Sequence, residues 1–281
     1  MYEFVNHAEV ERYQKFCFGK LQSLCATLKK DGITAQPILI GSGARNLVTR
    51  NGEGAFDLDY NLEITRLPSE YDHDLFALKN RVMTLLNKQL EGTFFSDAKD
   101  STSVITAILH FTDTPQVQFS FDIGIIKKNK QGNYCRLIHQ KDGWGHGTFN
   151  WCETPTSAQV GEKAAAIKTA GKWIILRQKY LELKNWYLKG NDRTHPSFVV
   201  YVEAVNQVFA TLPKKPQPVK PSGKAPQKAV KKSASVKDPP KATQKKAKEK
   251  AAAETAARDN RANHLNPNNK AYIGNKNQKK K

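Results

Sequence analysis

Ala55-Phe56-Asp57-Leu58-Asp59-Tyr60-Asn61-Leu62-Glu63-Ile64 is the stretch on which the reading of this chain turns. It alternates strictly. Phe56, Leu58, Tyr60, Leu62 and Ile64 take one side, and Asp57, Asp59, Asn61 and Glu63 take the other. On a β-strand that period of two points both aspartates the same way. Carboxylates so close together repel unless positive charge sits between them. Mg²⁺ is the usual answer, because it takes hard oxygen ligands and binds through one or two carboxylates plus substrate phosphates. Read alone, the same pattern also describes a half-exposed strand with a solvated acidic face.

Two other segments bear on that choice. Pro37-Ile38-Leu39-Ile40 reads as a short buried strand that runs directly into Gly41-Ser42-Gly43. A strand ending in Gly-Ser lets backbone N–H groups and a small hydroxyl approach a phosphate, with no Cβ in the way at the glycines. Further on, Val117-Gln118-Phe119-Ser120-Phe121-Asp122-Ile123 alternates in the same manner. Val117, Phe119 and Phe121 face a core, and Asp122 becomes a third carboxylate on a polar strand face.

With these elements in place the chain resembles the DNA polymerase β-like nucleotidyltransferase superfamily. The signature is an apolar strand, Gly-Ser, a short helix, a loop, Asp-x-Asp on a second strand and a third acid on a later one. The matching residues here are Ile40-Gly41-Ser42, Ala44-Arg45-Asn46, Asp57-Leu58-Asp59 and Asp122. By motif the resemblance covers residues 35–126, and more loosely the helices to about residue 210. Its layout is most similar to the poly(A) polymerase, oligoadenylate synthase and bacterial cyclic-oligonucleotide synthase branch. The chain departs from the pattern twice. Arg45-Asn46 stands where members often carry Arg-Gly, and Phe56 precedes the first acid where they often carry Ser.

The resemblance implies an α+β fold: a nucleotidyltransferase-like mixed β-sheet with helices, followed by a helical lobe. It implies transfer of a nucleoside monophosphate from an NTP to an acceptor hydroxyl, with release of pyrophosphate. Asp57, Asp59 and Asp122 would hold two Mg²⁺ or Mn²⁺ ions, and Asp122 also suits a general base. Gly41 and Ser42 would cradle the β- and γ-phosphates. Arg45 would touch phosphate or pair with a nearby acid. Lys168 and Lys172, four apart on an expected helix face, match the basic residues with which a second lobe reaches the triphosphate; Lys163 is a rival on spacing. The rival readings are a catalytically inactive nucleic-acid-binding scaffold of the same fold and a toxin- or defence-type enzyme that modifies tRNA or protein.

Charge divides the chain. Its 281 residues carry a formal +19, from 45 Lys and Arg against 26 Asp and Glu. Of these, 20 basic and 4 acidic residues fall in 213–281, which leaves 25 and 22 before it and a body of only +3. The expected organisation is a catalytic lobe over 1–150, a helical lobe over 151–212 and a disordered Lys/Pro/Ala-rich tail over 213–281. Such a polycation attracts nucleic acid without reading its sequence, and steeply less so as salt rises. Tyr272 and Ile273 are the one bulky apolar pair of the 263–281 segment, to which no role is assigned.

Four cysteines, Cys17, Cys25, Cys135 and Cys152, lie far apart with no CxxC and read as reduced thiols. Cys135, Cys152, His139 and His146 share one stretch, but their spacing matches no closed zinc pattern. No leader pattern and no run of about 18 apolar residues occurs, so the expectation is a soluble, cytoplasmic protein with no membrane partner.

Along the body, Asn6 caps a helix with Val10, Tyr13, Cys17, Leu21, Leu24 and Leu28 at helical spacing, stopped by Asp31-Gly32. Asp72 is the expected cap of a second helix carrying Leu75, Leu78, Val82, Leu85 and Leu86. Strands follow at 104–111 and 117–126, with a hairpin partner at 134–139. One long helix is expected over 157–189 and another over 196–212, with Phe198, Val202, Val205 and Phe209 aligned. Trp144, His146 and Trp151 are candidates for an acceptor pocket or for a lid packed on the core. Tyr180 reads as a helix-packing tyrosine and His195 as a helix-start residue.

Overall fold

The alternating stretch around Asp57 and Asp59 becomes an 11-residue interior strand, next to one edge of a seven-stranded mixed sheet. The structure, a computed structural model, describes residues 1–142, 147–155, 158–192 and 196–213. Trp144, His146, His195 and the tail beyond 213 lie outside them. Met1–Asp192 and Ser197–Leu212 pack as one compact unit.

In chain order the elements are β1 (Tyr2–Phe4), α1 (His7–Leu28), β2 (Thr34–Ile40), α2 (Gly41–Arg45), β3 (Thr49–Asn51), β4 (Phe56–Arg66), α3 (Ser69–His73), α4 (Leu75–Leu90), β5 (Lys99–Asp100) and β6 (Ile105–His110). They continue with β7 (Val117–Lys128), β8 (Tyr134–Lys141), β9 (Gly147–Glu153), α5 (Ala158–Thr169), α6 (Trp173–Lys189) and α7 (Ser197–Ala210). The large sheet runs β2-β4-β7-β6-β5, and β8 joins β7 and carries β9. β4 and β7 are parallel, and every other pairing in this sheet is antiparallel. β7 is long enough to pair twice, with β6 along its first half and with β8 along its last three residues. The mixed α+β architecture expected from the sequence is the one found.

One face of the sheet is sealed by α1 and α4. Asn6 caps α1 through its side-chain oxygen, which accepts from the Ala8 amide at 2.9 Å, a typical use of Asn at an N-cap. The stripe from Val10 to Leu28 is buried as its spacing requires, and it meets Phe56, Leu58, Tyr60, Leu62, Phe119 and Phe121 in one apolar core. Tyr13 stacks on Phe119 with ring centroids 4.2 Å apart. Lys79 of α4, itself buried, pins that helix to the sheet by pairing with Asp100 at 2.5 Å and donating to the Ser101 carbonyl. The core consumes one side of β4 and β7 completely, so the polar side is left for other work.

A second apolar cluster joins α5, α6 and α7 around Ile167, Leu176, Tyr180, Val205 and Leu47. The short ribbon of β1 with β3 is tied to it: Tyr2 exchanges two hydrogen bonds with the side chain of Asn185 on α6.

Three local expectations are corrected. Asp74, rather than Asp72, caps the second long helix by accepting from the Ala77 amide at 2.8 Å; Asp72 sits in α3 and binds Lys127 and Trp151. The single helix expected over 157–189 is two. Gly171 takes a left-handed φ of 67°, and Lys172 and Gly171 donate back to the carbonyls of Ile167 and Lys168. That pattern is a Schellman stop, which glycine makes without a Cβ penalty. On α7 the buried side is Val200, Tyr201, Ala204, Val205 and Val208, while Phe198 and Phe209 stay exposed. Apolar residues surround this helix, so spacing alone did not choose its inner face.

Among the described residues no helix is long and apolar enough to cross a membrane.

Candidate active site

The parallel register of β4 and β7 sets Asp57 beside Ser120, Asp59 beside Asp122 and Asn61 beside Gly124. Strand neighbours in register share a face, so the three aspartates stand together on the side that the core leaves open. Thr106 of β6, in register with Asp122 on the far side, donates its hydroxyl to Asp122 Oδ1 at 2.6 Å. One carboxylate oxygen of Asp122 is therefore fixed and the other is available.

β2 enters from the other edge. Ile40 lies opposite Asp59, and the next residue, Gly41, turns with φ of 63° into α2. A Cβ at Gly41 would stand 2.1 Å from Asp59 Oδ2. Only glycine allows both the turn and the approach of that carboxylate. Arg45, at the end of α2, donates from Nη1 to the Gly41 carbonyl at 2.7 Å and lies 4.6 Å over the Tyr201 ring. Asn46 follows with φ of 56°. This is the left-handed conformation glycine adopts most freely and Asn tolerates best of the others, so Asn46 fills the position where the superfamily pattern carries glycine. Phe56, the other departure, points to the opposite face and packs edge-on to Tyr13 and Phe119.

Opposite the sheet stand residues from α6 and α7. Together they bound an open cleft of about 550 Å³ with Gly41, Ser42, Arg45, Asp57 and Asp59 on one wall and Tyr180, Lys184, Ser197, Phe198 and Tyr201 on the other. Lys184 donates from Nζ to Thr49 Oγ1 at 2.9 Å and to Ser197 Oγ at 3.2 Å, and it lies 4.1 Å over the Tyr2 ring.

Electrostatics mark the site. Burial, then repulsion from Asp57 and Asp122, raises the Asp59 carboxyl to about 6 against the opposing pull of Arg136 and Arg45. Burial also raises Asp57, which keeps contact with water through the cleft mouth while crowded by protein; Lys184 opposes the shift. Asp122 is raised by burial, opposed by the Thr106 hydrogen bond. Across the cleft, burial lowers the Lys184 ammonium to about 8, with Asp57 acting the other way. Burial lifts the Tyr180 hydroxyl to about 12. Acids and a base perturbed toward neutrality in one cleft are a functional-site signature.

Lys168 and Lys172 are placed elsewhere. The stop at Gly171 divides them between the end of α5 and the cap of α6, which removes the shared helix face, and neither lines the cleft. Lys168 lies 4.5 Å over the Trp173 ring. Lys163 donates to Asn206. Trp151 sits on β9, where its indole N–H donates to Asp72 and the Lys127 ammonium covers its ring. Cys135 and Cys152 belong to opposite faces of the β8–β9 pair, and His139 binds Asp100 and stacks on Phe149, so these residues do not converge on a zinc ion.

Lys184, Thr49, Ser197 and Arg136 escaped the sequence reading. Tyr180 and Lys184 are four apart on α6 and so share a face, the one signal that pointed to Lys184. Thr49 and Ser197 carried none. Arg136 alternates out of the apolar set Cys135, Leu137 and His139 on β8, which placed it on the acids' side of the sheet.

Solved structures similar to this chain include bacterial proteins. Vibrio cholerae DncV in its GTP-bound form is 14% identical, with a TM-score of 0.44 over 66% of this chain and 47% of that one. Bradyrhizobium diazoefficiens CdnG, in complex with GTP, is 22% identical, with a TM-score of 0.34 over 56% and 40%. CdnC of E. coli MS115-1, in a complex with HORMA-deltaN, is 17% identical, with a TM-score of 0.48 over 74% and 61%. These neighbours are cGAS-like CD-NTases of the polymerase β-like nucleotidyltransferase superfamily. The chain spans about half the length of the structures it matches. No protein-family model and no curated protein matches it.

Proposed function

We propose that the chain is a metal-dependent nucleotidyltransferase that moves a nucleoside monophosphate from an NTP to an acceptor hydroxyl and releases pyrophosphate. The observation that carries this reading is the in-register pair Asp59–Asp122, with Asp57 on the same strand face, beside a glycine whose missing Cβ admits Asp59. Residues 1–150 supply the acids and 151–212 the opposing wall of the cleft.

The donor set fits divalent ions chemically. Three carboxylates offer hard oxygens, and the repulsion that lifts Asp59 to about 6 is what a cation would relieve. Among the described residues no group of three His, Cys, Asp or Glu side chains is arranged as a formed metal site. Asp57, Asp59 and Asp122 are the residues that would hold the ions. When bound, such ions make the attacking hydroxyl more acidic and neutralise the leaving oxygens.

The chain's own residues divide the remaining work. Lys184, a cation below about pH 8, together with the Ser42 hydroxyl and the Gly41 backbone, binds the β- and γ-phosphates and stabilises the departing pyrophosphate. This gives Lys184 the part first expected of Lys168 and Lys172. Arg45 holds the Gly41 carbonyl, which keeps the turn closed around Asp59. Asp122, raised by burial and held at Oδ1 by Thr106, accepts the acceptor's proton at Oδ2. The hydroxyl oxygen then bonds to the α-phosphorus as the bond to pyrophosphate breaks. Phe198 and Tyr201 flank the cleft where a base would lie.

The test is label transfer. The full chain is incubated with each α-labelled NTP and Mg²⁺ or Mn²⁺, with and without RNA, beside Asp57→Ala and Asp59→Ala. Incorporation lost in both variants supports the reading, and the labelled species names the acceptor. No incorporation under any condition, with RNA binding that survives both substitutions, would identify a retired scaffold instead.

A further inference from the structure

Arg136 lies on β8, two strands away from Asp59, yet its guanidinium reaches the acidic face. It crosses β7 at Gly124, where a side chain would crowd it: a Cβ there would stand 3.1 Å from Arg136 Cζ and 3.2 Å from both Nε and Asn61 Oδ1, so the guanidinium would have to shift. Glycine in mid-strand weakens a sheet and often marks a close approach, and here the approaching group is this guanidinium. Beyond the gap, Nη2 donates to Asn61 Oδ1 at 3.0 Å. Asn61 and Gly124 are in register, two residues beyond the pair Asp59–Asp122 on the same face. Nε is buried and has no hydrogen-bond partner among the described residues.

A guanidinium with a buried, unsatisfied N–H is costly unless nearby negative charge offsets it. The negative charge within reach is Asp59 and Asp122, both of which interact electrostatically with Arg136. Arg45 also attracts Asp59 electrostatically, but its guanidinium donates to the Gly41 carbonyl and lies over the Tyr201 ring. Among the described residues, Asn61 is the side chain to which Arg136 hydrogen-bonds.

We propose that Arg136 is a positioning residue: a resident counter-charge, brought across β7 through the gap at Gly124, that holds Asp59 and Asp122 side by side before any cation or nucleotide arrives. Its functional meaning rests on the nucleotidyltransferase reading; its electrostatic role does not. Without it two crowded carboxylates face each other uncompensated. With it they stay on one face, in register, ready for ligands.

The test is a double-mutant comparison by thermal melting of the full chain in EDTA at pH 8. Arg136→Met in the wild-type background is expected to lower the melting temperature by about 5 °C. In an Asp59→Asn/Asp122→Asn background the same substitution removes an uncompensated buried charge, so the loss vanishes or reverses. An equal loss in both backgrounds means that Arg136 only fills space, and the proposal is overturned. Gly124→Ala provides a second route in case Arg136→Met fails to fold. It keeps the charge but pushes the guanidinium aside, and it must show the same dependence on the two acids. For catalysis, Arg136→Met is expected to lower kcat by roughly 10- to 100-fold, the usual range for residues that orient ligating groups, with little change in the KM for NTP. Should wild type transfer no label at all, the proposed function fails, and the melting comparison still decides Arg136.

Discussion

Replacing Asp59 by Asn should make this protein more stable. The carboxyl is raised from an ordinary 3.8 to about 6, with the attraction of Arg136 and Arg45 already included. At about 1.4 kcal/mol per pH unit, its ionised form costs the fold about 3 kcal/mol, or about half that once screening through the open cleft is allowed for. Asn keeps the shape and removes the charge. The sign follows from proton uptake. Between 3.8 and about 6 the folded chain binds more protons at Asp59 than the unfolded chain, so this residue's penalty is absent below 3.8 and complete above 6. Asp59→Asn should therefore raise the melting temperature above pH 6 by roughly 3–10 °C for a body of this size, and the gain should shrink to nothing near pH 4. Melting curves in EDTA from pH 4 to 8 measure it directly. A variant less stable than wild type at pH 7.5, or a gain that ignores pH, would refute the claim that repelling, desolvated acids are held together here. The proposed function accounts for keeping such a group at a cost to stability.

Three further outcomes follow from the same site. Lys184→Met should weaken NTP binding by roughly 10- to 100-fold, the worth of a charge-assisted contact, and wild-type affinity measured by calorimetry should fall as pH rises through about 8, where the ammonium loses its proton; a flat wild-type profile would remove Lys184 from the phosphate site. Gly41→Ala should lose about 1–2 kcal/mol from the positive φ alone and most of the label transfer, because its Cβ would fall 2.1 Å from Asp59 Oδ2; a variant of wild-type activity would show the corner to be dispensable. Ending the chain after Pro213 removes a net +16 and should weaken RNA binding while flattening its salt dependence, with the melting temperature of the body unchanged; unchanged filter binding at low salt would assign RNA contact elsewhere.

The centre of the sheet was readable because its signals are strictly local. Period-two alternation at Phe56–Ile64 and Val117–Ile123 separates core from polar face without tertiary information, and Gly41-Ser42 marks the corner by composition. The opposing wall of the cleft was harder to see. Lys168 and Lys172 looked paired because a continuous helix was assumed, and one left-handed residue, Gly171, ended that helix between them. Lys184 became a cleft residue through the packing of α6 against the β1–β3 ribbon, a contact between segments more than 130 residues apart. Arg136 reaches the acids only because β8 pairs with the far end of β7 and Gly124 leaves room. Facts of that kind belong to the assembled sheet, and strand order is not encoded in any short window.

The central claim is that Asp57, Asp59 and Asp122 gather divalent cations against the triphosphate of an NTP. Anomalous scattering from Mn²⁺ in crystals of the full chain grown with a non-hydrolysable NTP tests it at the atoms concerned. The account predicts metal density between Asp57, Asp59 and Asp122, with the triphosphate running past Ser42 to Lys184. Nucleotide bound in any other cavity, or Mn²⁺ that ignores these three carboxylates at saturating nucleotide, would contradict it.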